Sequence, residues 1–322
     1  MVCPHGPRGA TGFGEALDYV RSGALGKMLY VHGVNYKPRT SIGKVSGPRP
    51  VPPGIDYDLW CGPAPVKPLR REYLHYDWHW DWDYGNGDLG NMGIHYIDGC
   101  RWAAGQRALP GRVIAVGGRF GYDDDGETPN TLIGFLDYRP VPIVFEVRGL
   151  PQNRAFREQN WERNARLSMD QYMGVQIGVV VHCEDGFLAG NQAFDTRGRL
   201  LKKFEPTNTD TTVDFIRRVR ARKLEPHGAD ALEGHLSAAL VHLLNISYRI
   251  GKQTLPGQIR EAVRSDKLLL ESYERFLDHM YANHIDLEKH PAILGAALSV
   301  NPAEERFTGP FSAQANRLLR RE

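Results

Sequence analysis

Apolar residues recur along the chain with two different periods. Phe13, Ala16, Leu17 and Val20 stand at helical spacing before the glycines of "SGALGK", which predicts a helix over 12–23. "KMLYVHGVNYK" (27–37) predicts a strand. The Pro/Gly-rich segment after it, 38–54, is too long for a plain connection and is a candidate functional loop. "DYDLWCGPAP" reads as a short helical turn. "WHWDWDY" alternates aromatic and polar side chains, which predicts a strand over 77–84. Trp78, Trp80, Trp82 and Tyr84 then share one face, and His79, Asp81 and Asp83 the other. A helix is predicted over 88–104 and strands over 112–120, 130–138, 142–149 and 174–183, with two short strands within 187–204. Helices follow over 208–222, 230–250 and about 263–281, with a last helical turn in "SAQANRLLRR".

Strands crowd the middle of the chain and helices its two ends. That order favours an α+β fold, an open, mostly antiparallel sheet with helices on one face, over a doubly wound parallel sheet. The strand runs carry apolar residues in both alternation phases, as in Leu132, Phe135 and Leu136. One sheet face is therefore expected to stay apolar and to pair with a second copy, giving a homo-oligomer.

The 322 residues suffice for a substantial core, and a net charge of +2 gives no reason to expect nucleic acid or a membrane surface as partner. No run approaches the roughly 18 apolar residues of a membrane span. The first residues hold no apolar signal region, so the expected location is the cytoplasm. Cys3, Cys61, Cys100 and Cys183 are scattered and form no CxxC, which reads as buried thiols rather than disulfides or a zinc site.

"GATGFGEAL" (9–17) has the look of a dinucleotide loop, but no hydrophobic strand precedes it and no acid ends the next strand. The stronger signal is "GDLGNMGIH" (87–95), directly after the aromatic run. On one continuous helix, Asp88, Asn91, His95, Asp98 and Trp102 fall within an arc of roughly 80°. Gly90 and Gly93 lower helix propensity by about 1 kcal/mol each, which suggests that something approaches closely. A histidine there can move a proton near neutral pH. The aromatic face beside it suits sugar rings, which are apolar on one side and hydroxylated at the edge. Zinc held by His75, His79 and His95 is disfavoured, because His75 and His79 on a strand lie about 13 Å apart. His235, His242 and Asn245 read as packing residues of the helix over 230–250.

"GDLGNMGIHYID", "VRSGALGK", "YKPR" and "EGHLSAALVHLLNISYRIG" together resemble the glucose–fructose oxidoreductase/inositol dehydrogenase (Gfo/Idh/MocA) family, in its C-terminal half. The resemblance implies a C-terminal α+β domain that carries the substrate site and often the subunit interface. It also implies oxidation or reduction of sugars and cyclitols with NAD or NADP. The family's glycine fingerprint and Glu-Lys-Pro motif are missing, so its Rossmann domain is expected to be absent and neither cofactor to bind this chain tightly. Residues 1–26 then read as a helix and linker remnant, and 27–322 as the substrate-binding and oligomerisation domain. Where the family has Asp-x-x-x-His, this chain has Asn91 and His95. His95 is thus the expected acid/base, and Asn91 holds a hydroxyl or orients His95. Lys37, Arg39, Trp80, Asp81 and Asp88 are the expected substrate-binding residues, no metal ligand is expected, and the substrate is carbohydrate-like. The alternatives are a catalytically silent binding or assembly module and a cofactor-independent carbohydrate lyase or hydrolase.

Overall fold

The computed structural model describes residues 12–158, 161–206, 211–222 and 231–320. Cys3, the first residues of "GATGFGEAL" and positions 208–210 of the helix expected over 208–222 lie outside them.

Twelve strands form one sheet: β1 (Met28–Tyr36), β2 (Arg112–Gly118), β3 (Thr131–Leu136), β4 (Ile143–Arg148), β5 (Ile177–Cys183), β6 (Gly186–Ala189), β7 (Gln192–Asp195), β8 (Leu200–Lys203), β9 (Lys252–Thr254), β10 (Ala292–Leu294), β11 (Leu298–Asn301) and β12 (Arg306–Thr308). The main path runs β12-β11-β2-β3-β4-β1-β5-β6-β7-β8. Every pair is antiparallel except β1 with β4, which is parallel. The helices are α1 (Phe13–Arg21), α2 (Tyr57–Cys61), α3 (Gly87–Asn91), α4 (Gly93–Ala103), α5 (Ala165–Ser168), α6 (Thr211–Ala221), α7 (Ala231–Arg249), α8 (Pro256–Val263), α9 (Lys267–Ala282) and α10 (Ser312–Arg317). This is the α+β class expected from the order of elements.

Alternation along the strands sorts side chains onto two faces. Val31, Val113, Ala115, Leu132, Leu136, Phe145, Val179 and Val181 join the apolar sides of α1, α4 and α7 in the main core. Gly134 belongs to this face because a Cβ there would lie 2.4 Å from Cδ1 of Leu244 on α7. Ile114, Val116, Ile133, Phe135 and Val144 point the other way and pack with Ile259 and Val263 of α8 and Leu269, Tyr273 and Phe276 of α9. Helices thus pack on this half of the second face too, and Phe135 is buried there. The chain's own last helices cover that half, because "LLLESYERFLDHM" carries a second apolar stripe.

What stays less covered is the β1 and β5–β8 half of this face. There Tyr30 stacks on His182 at 4.1 Å between ring centroids, and Phe187 on Phe194 at 5.0 Å. Leu200, paired with Phe194, is 55% exposed.

Between the two halves sits a buried carboxylate. Glu146 of β4 accepts from His32 Nε2 (3.0 Å), Tyr36 OH (2.5 Å), Arg148 Nη2 (3.1 Å) and Arg275 Nη2 of α9 (2.5 Å). Burial alone would push this carboxyl up, but Arg148, the bond from His32 and Arg275 outweigh it and hold it well below the usual range. Burial keeps His32 low and hence neutral, so its bond is an uncharged N–H donation and the two arginines supply the charge. Asp170 joins the network, 2.6 Å from Arg148 Nη1 and 2.7 Å from His279 Nδ1.

Candidate functional site

β1 brings Asn35 to the core face of the sheet, in line with Val31 and Gly33, near the strand end. The chain then leaves the sheet, and Arg39 is pinned by its backbone: its N–H donates to Gly149 O (2.9 Å), and Tyr122 OH donates to its carbonyl (2.7 Å). α3 starts at Gly87 with φ +73°, a left-handed conformation beside Thr128 that suits glycine. It delivers Asp88, which is fully buried. Asn35 Nδ2 donates to Asp88 Oδ2 (3.1 Å), and Arg39 Nη2 forms a short charged bond to Asp88 Oδ1. Arg39 Nη1 donates in turn to Tyr76 OH. Asn35, Arg39 and Asp88 thus form one buried polar group at the sheet end.

The aromatic run is not a strand, and the strand expected over 77–84 is corrected. Asp77–Trp80 form a single 3-10 turn, and the following backbone closes on itself, Asp81 N–H to Trp78 O and Gly85 N–H to Asp81 O. The aromatic and polar faces read from strand alternation therefore do not exist. Tyr76 enters the turn with φ +66°, a rare conformation for tyrosine that costs on the order of 1–3 kcal/mol. His79 is 1% exposed, and its Nδ1 donates to Tyr76 O, which places the proton on Nδ1 and leaves Nε2 as a bare acceptor. Burial holds this imidazole below its usual value, with the bond to Tyr76 O acting the other way.

The helix expected over 88–104 is broken at Met92 into α3 and α4, so the single polar arc is divided. Asp88 turns into the sheet, Asn91 and His95 lie half-buried, Asp98 accepts from Ser237 Oγ (2.6 Å), and Trp102 packs edge-on to Phe13. The close approach suggested by Gly90 and Gly93 is made by the chain itself. A Cβ at Gly93 would lie 3.1 Å from the Phe145 ring, and one at Gly90 would collide with the Asn86 side chain.

The other expected substrate-binding residues lie at the end of β1 and in the aromatic turn. Lys37 follows Tyr36 at the mouth of β1, half-buried, its N–H donating to Arg148 O (3.1 Å). Trp80 is 2% exposed, under the Arg119 guanidinium (4.6 Å) and beside the His79 ring (4.5 Å). Asp81 accepts from Asp83 N–H (2.8 Å) within the turn, and burial raises its carboxyl. Sequence reasoning missed Asn35, Tyr76 and Thr128 and gave His79 only to a strand face. A polar residue at a core-facing position of "VHGVNY" was the available signal for Asn35.

Four buried polar atoms gathered here have no hydrogen-bond partner: Asn35 Oδ1, Arg39 Nε, His79 Nε2 and Thr128 Oγ1. Each orphaned polar group costs about 1–3 kcal/mol, so their concentration makes this the candidate site. Two cavities lie apart from it. One of about 1140 Å³ is lined by residues such as Trp82, Asn86, Asn245 and Arg249, and one of about 270 Å³ by Tyr36, Arg148, Asp170 and Arg275. Among the described residues no group of three His, Cys, Asp or Glu side chains is arranged to hold a metal ion. A Cβ at Gly12 would meet the carbonyls of Phe204 and Glu205 at 2.8 Å, so Gly12 packs against the segment that follows β8. No helix among the described residues is long and apolar enough to cross a membrane.

Residues 17–117 match the Gfo/Idh/MocA family model described as "Oxidoreductase family, C-terminal alpha/beta domain". The likeness read from the motifs thus holds over the segment that contains β1, α3 and α4, and with them Asn35, Arg39, Asp88, Asn91 and His95. Among solved structures the chain is similar to an oxidoreductase of Thermotoga maritima, at 13% identity over 74% of this chain and 57% of that one, with a TM-score of 0.46. It is similar to the WlbA dehydrogenase of Bordetella pertussis in complex with NADH and UDP-GlcNAcA, at 16% over 74% and 58%, TM-score 0.45. A third is an NADPH-dependent-type oxidoreductase of Desulfitobacterium hafniense, at 12% over 74% and 59%, TM-score 0.47. The chain spans 57–59% of the length of these three proteins. No curated protein matches the sequence.

Proposed function

We propose that this chain, through its match to the oxidoreductase C-terminal domain over residues 17–117, is the substrate-binding part of an NAD(P)-dependent oxidoreductase acting on a sugar or cyclitol. The observation that carries the reading is the buried Asn35–Arg39–Asp88 group with its unpartnered donors and acceptors. Such a set stays costly until hydroxyl groups, which both give and accept hydrogen bonds, complete it. In this reading Arg39 and Asp88 fix each other and the ligand's orientation, with Lys37 at the rim. Trp80 and Asp81 support the turn that carries His79. His95 handles the hydroxyl proton and Asn91 holds or orients its partner. NAD(P) enters through the family alone, is not held tightly by this chain, and no step is drawn through it. The protein acts in the cytoplasm and self-associates through the β1 and β5–β8 half of the sheet.

Calorimetric titration with a panel of D-glucose, D-xylose and myo-inositol, and separately with NAD+ and NADP+, tests the reading. Binding of at least one polyol, with neither nucleotide binding at low micromolar concentration, is the expected result. Absence of polyol binding up to 100-millimolar-scale concentrations, on the order of the weakest usable affinity, overturns it. With a dinucleotide-binding partner domain supplied, His95→Ala lowers turnover by roughly 100-fold or more, as for a general acid/base.

A further inference from the structure

We infer that Tyr76 is a displaceable cover and that His79 Nε2, which it conceals, is a substrate-binding atom that accepts a ligand hydroxyl together with Asn35 Oδ1. The inference rests on the proposed function and names a further binding residue of the same site.

Three observations converge. First, Tyr76 is 54% exposed while the residues it touches, His79 at 1% and Arg39 at 5%, are closed, as is Arg39's partner Asp88 at 0%. Its phenol holds Arg39 Nη1, and its ring lies edge-on to His79 at 5.0 Å. A surface tyrosine therefore touches both Arg39 and His79, which stand 40 positions apart in sequence. Second, Tyr76 is held in a backbone conformation that tyrosine rarely adopts, φ +66° and ψ −48°, so the covering geometry is imposed by its contacts rather than preferred by its own chain. Third, the proton on His79 Nδ1 is committed to the Tyr76 carbonyl, a group that can only accept. Nε2 must then be the acceptor, and it has no partner. Swinging the Tyr76 side chain leaves that carbonyl bond intact, so the tautomer survives opening.

The chemistry of the bare atoms selects the ligand class. Asn35 Oδ1 and His79 Nε2 need donors, and Arg39 Nε needs an acceptor. A polyol supplies both. A carboxylate brings acceptors only and leaves both acceptor atoms unsatisfied. When the phenol leaves, Arg39 Nη1 gains a free donor for a ligand oxygen.

The test is a long-range 1H–15N correlation spectrum of the whole chain uniformly labelled with 13C and 15N, with the His79 ring assigned through its side-chain carbons. The unaltered protein should show His79 neutral and protonated at Nδ1, and titration with myo-inositol or D-glucose should move its Nε2 resonance. Tyr76→Ala should lower the polyol dissociation constant at least threefold, because the cover no longer competes. Acetate, which has no donor at neutral pH, should leave Nε2 unmoved. A polyol that moves His95 but not His79, an acetate that moves His79 as much as a polyol does, or an unchanged affinity in Tyr76→Ala overturns the inference and leaves the proposed function standing. A polyol that moves no histidine and shows no heat of binding overturns both. The readout on the unaltered chain does not depend on any variant folding.

Discussion

Replacing Glu146 by glutamine keeps the volume of the side chain and removes its charge from a site where the residue is 1% exposed. Four donors converge on that carboxylate, two of them guanidinium groups. The amide turns one N–H pair toward those donors, so at least one bond becomes a clash of donors and the others lose their charge. Arg148 keeps Asp170 as a partner and Arg275 keeps Ser272 Oγ (2.8 Å), which limits the loss. Removing one member of a buried charged network costs about 3–5 kcal/mol, a large part of the roughly 5–15 kcal/mol by which domains are stable. Glu146→Gln should therefore lower the urea midpoint markedly at pH 7, and hydrogen exchange should quicken most in α9, which Arg275 ties to the sheet.

The pH dependence provides an independent check. The carboxyl sits well below its usual value of 4.5 in the folded protein, so below that value the unfolded chain takes up the proton first. The stabilisation is present above about pH 4.5 and is lost as pH falls toward the folded pKa. The acid limb of the stability curve should be steep in the wild type and flatter in Glu146→Gln. A variant within 1 kcal/mol of wild type (about a fivefold change in equilibrium constant) with an unchanged acid limb would refute the assignment of Glu146 as the electrostatic centre of this half of the sheet.

Asp88→Ala leaves the Arg39 guanidinium buried without its carboxylate and should cost about 3–5 kcal/mol, read by urea denaturation, with loss of polyol binding by calorimetry. Gly33→Ala puts a methyl 2.4 Å from the Phe145 ring and 2.5 Å from Cys100 Sγ, so overpacking of about 1–3 kcal/mol should appear as a lower melting temperature. Phe194→Asp, on the less covered half of the sheet, should weaken self-association at least tenfold, or about 1.4 kcal/mol, in sedimentation equilibrium; a wild type that stays monomeric at micromolar concentration would remove that interface. His182 should titrate near 4, since burial first and then His32 and Arg275 push it down. The unfolded chain protonates before it does, so this histidine withdraws stability as pH falls from 6.5 toward about 4, which NMR titration of its ring protons checks.

The sequence by itself determined the elements whose periodicity is long. The nineteen residues of α7, the strands β2 to β5 and the α+β order are all legible, because a three-turn apolar stripe or a six-residue apolar run is hard to satisfy any other way. Asp88 and His95 stood out by their helical spacing, and Arg39 by the "YKPR" segment of the family resemblance. Tertiary structure decided the rest. "WHWDWDY" has the period of a strand, but β4 and β5 already occupy both edges of β1, and its backbone bonds close locally instead. The helix after it carries two glycines whose role no spacing rule reveals: Phe145 of β4 and Asn86 fill the space where their side chains would be. Which residues gather into a polar group depends on the fold as well. Asn35 and Asp88 are 53 positions apart, and only the packing of α3 onto the end of β1 turns two separate polar residues into one hydrogen-bonded pair beside unsatisfied atoms. Local pattern fixes where a backbone can hydrogen-bond to itself, and long-range packing fixes which polar groups lose their water.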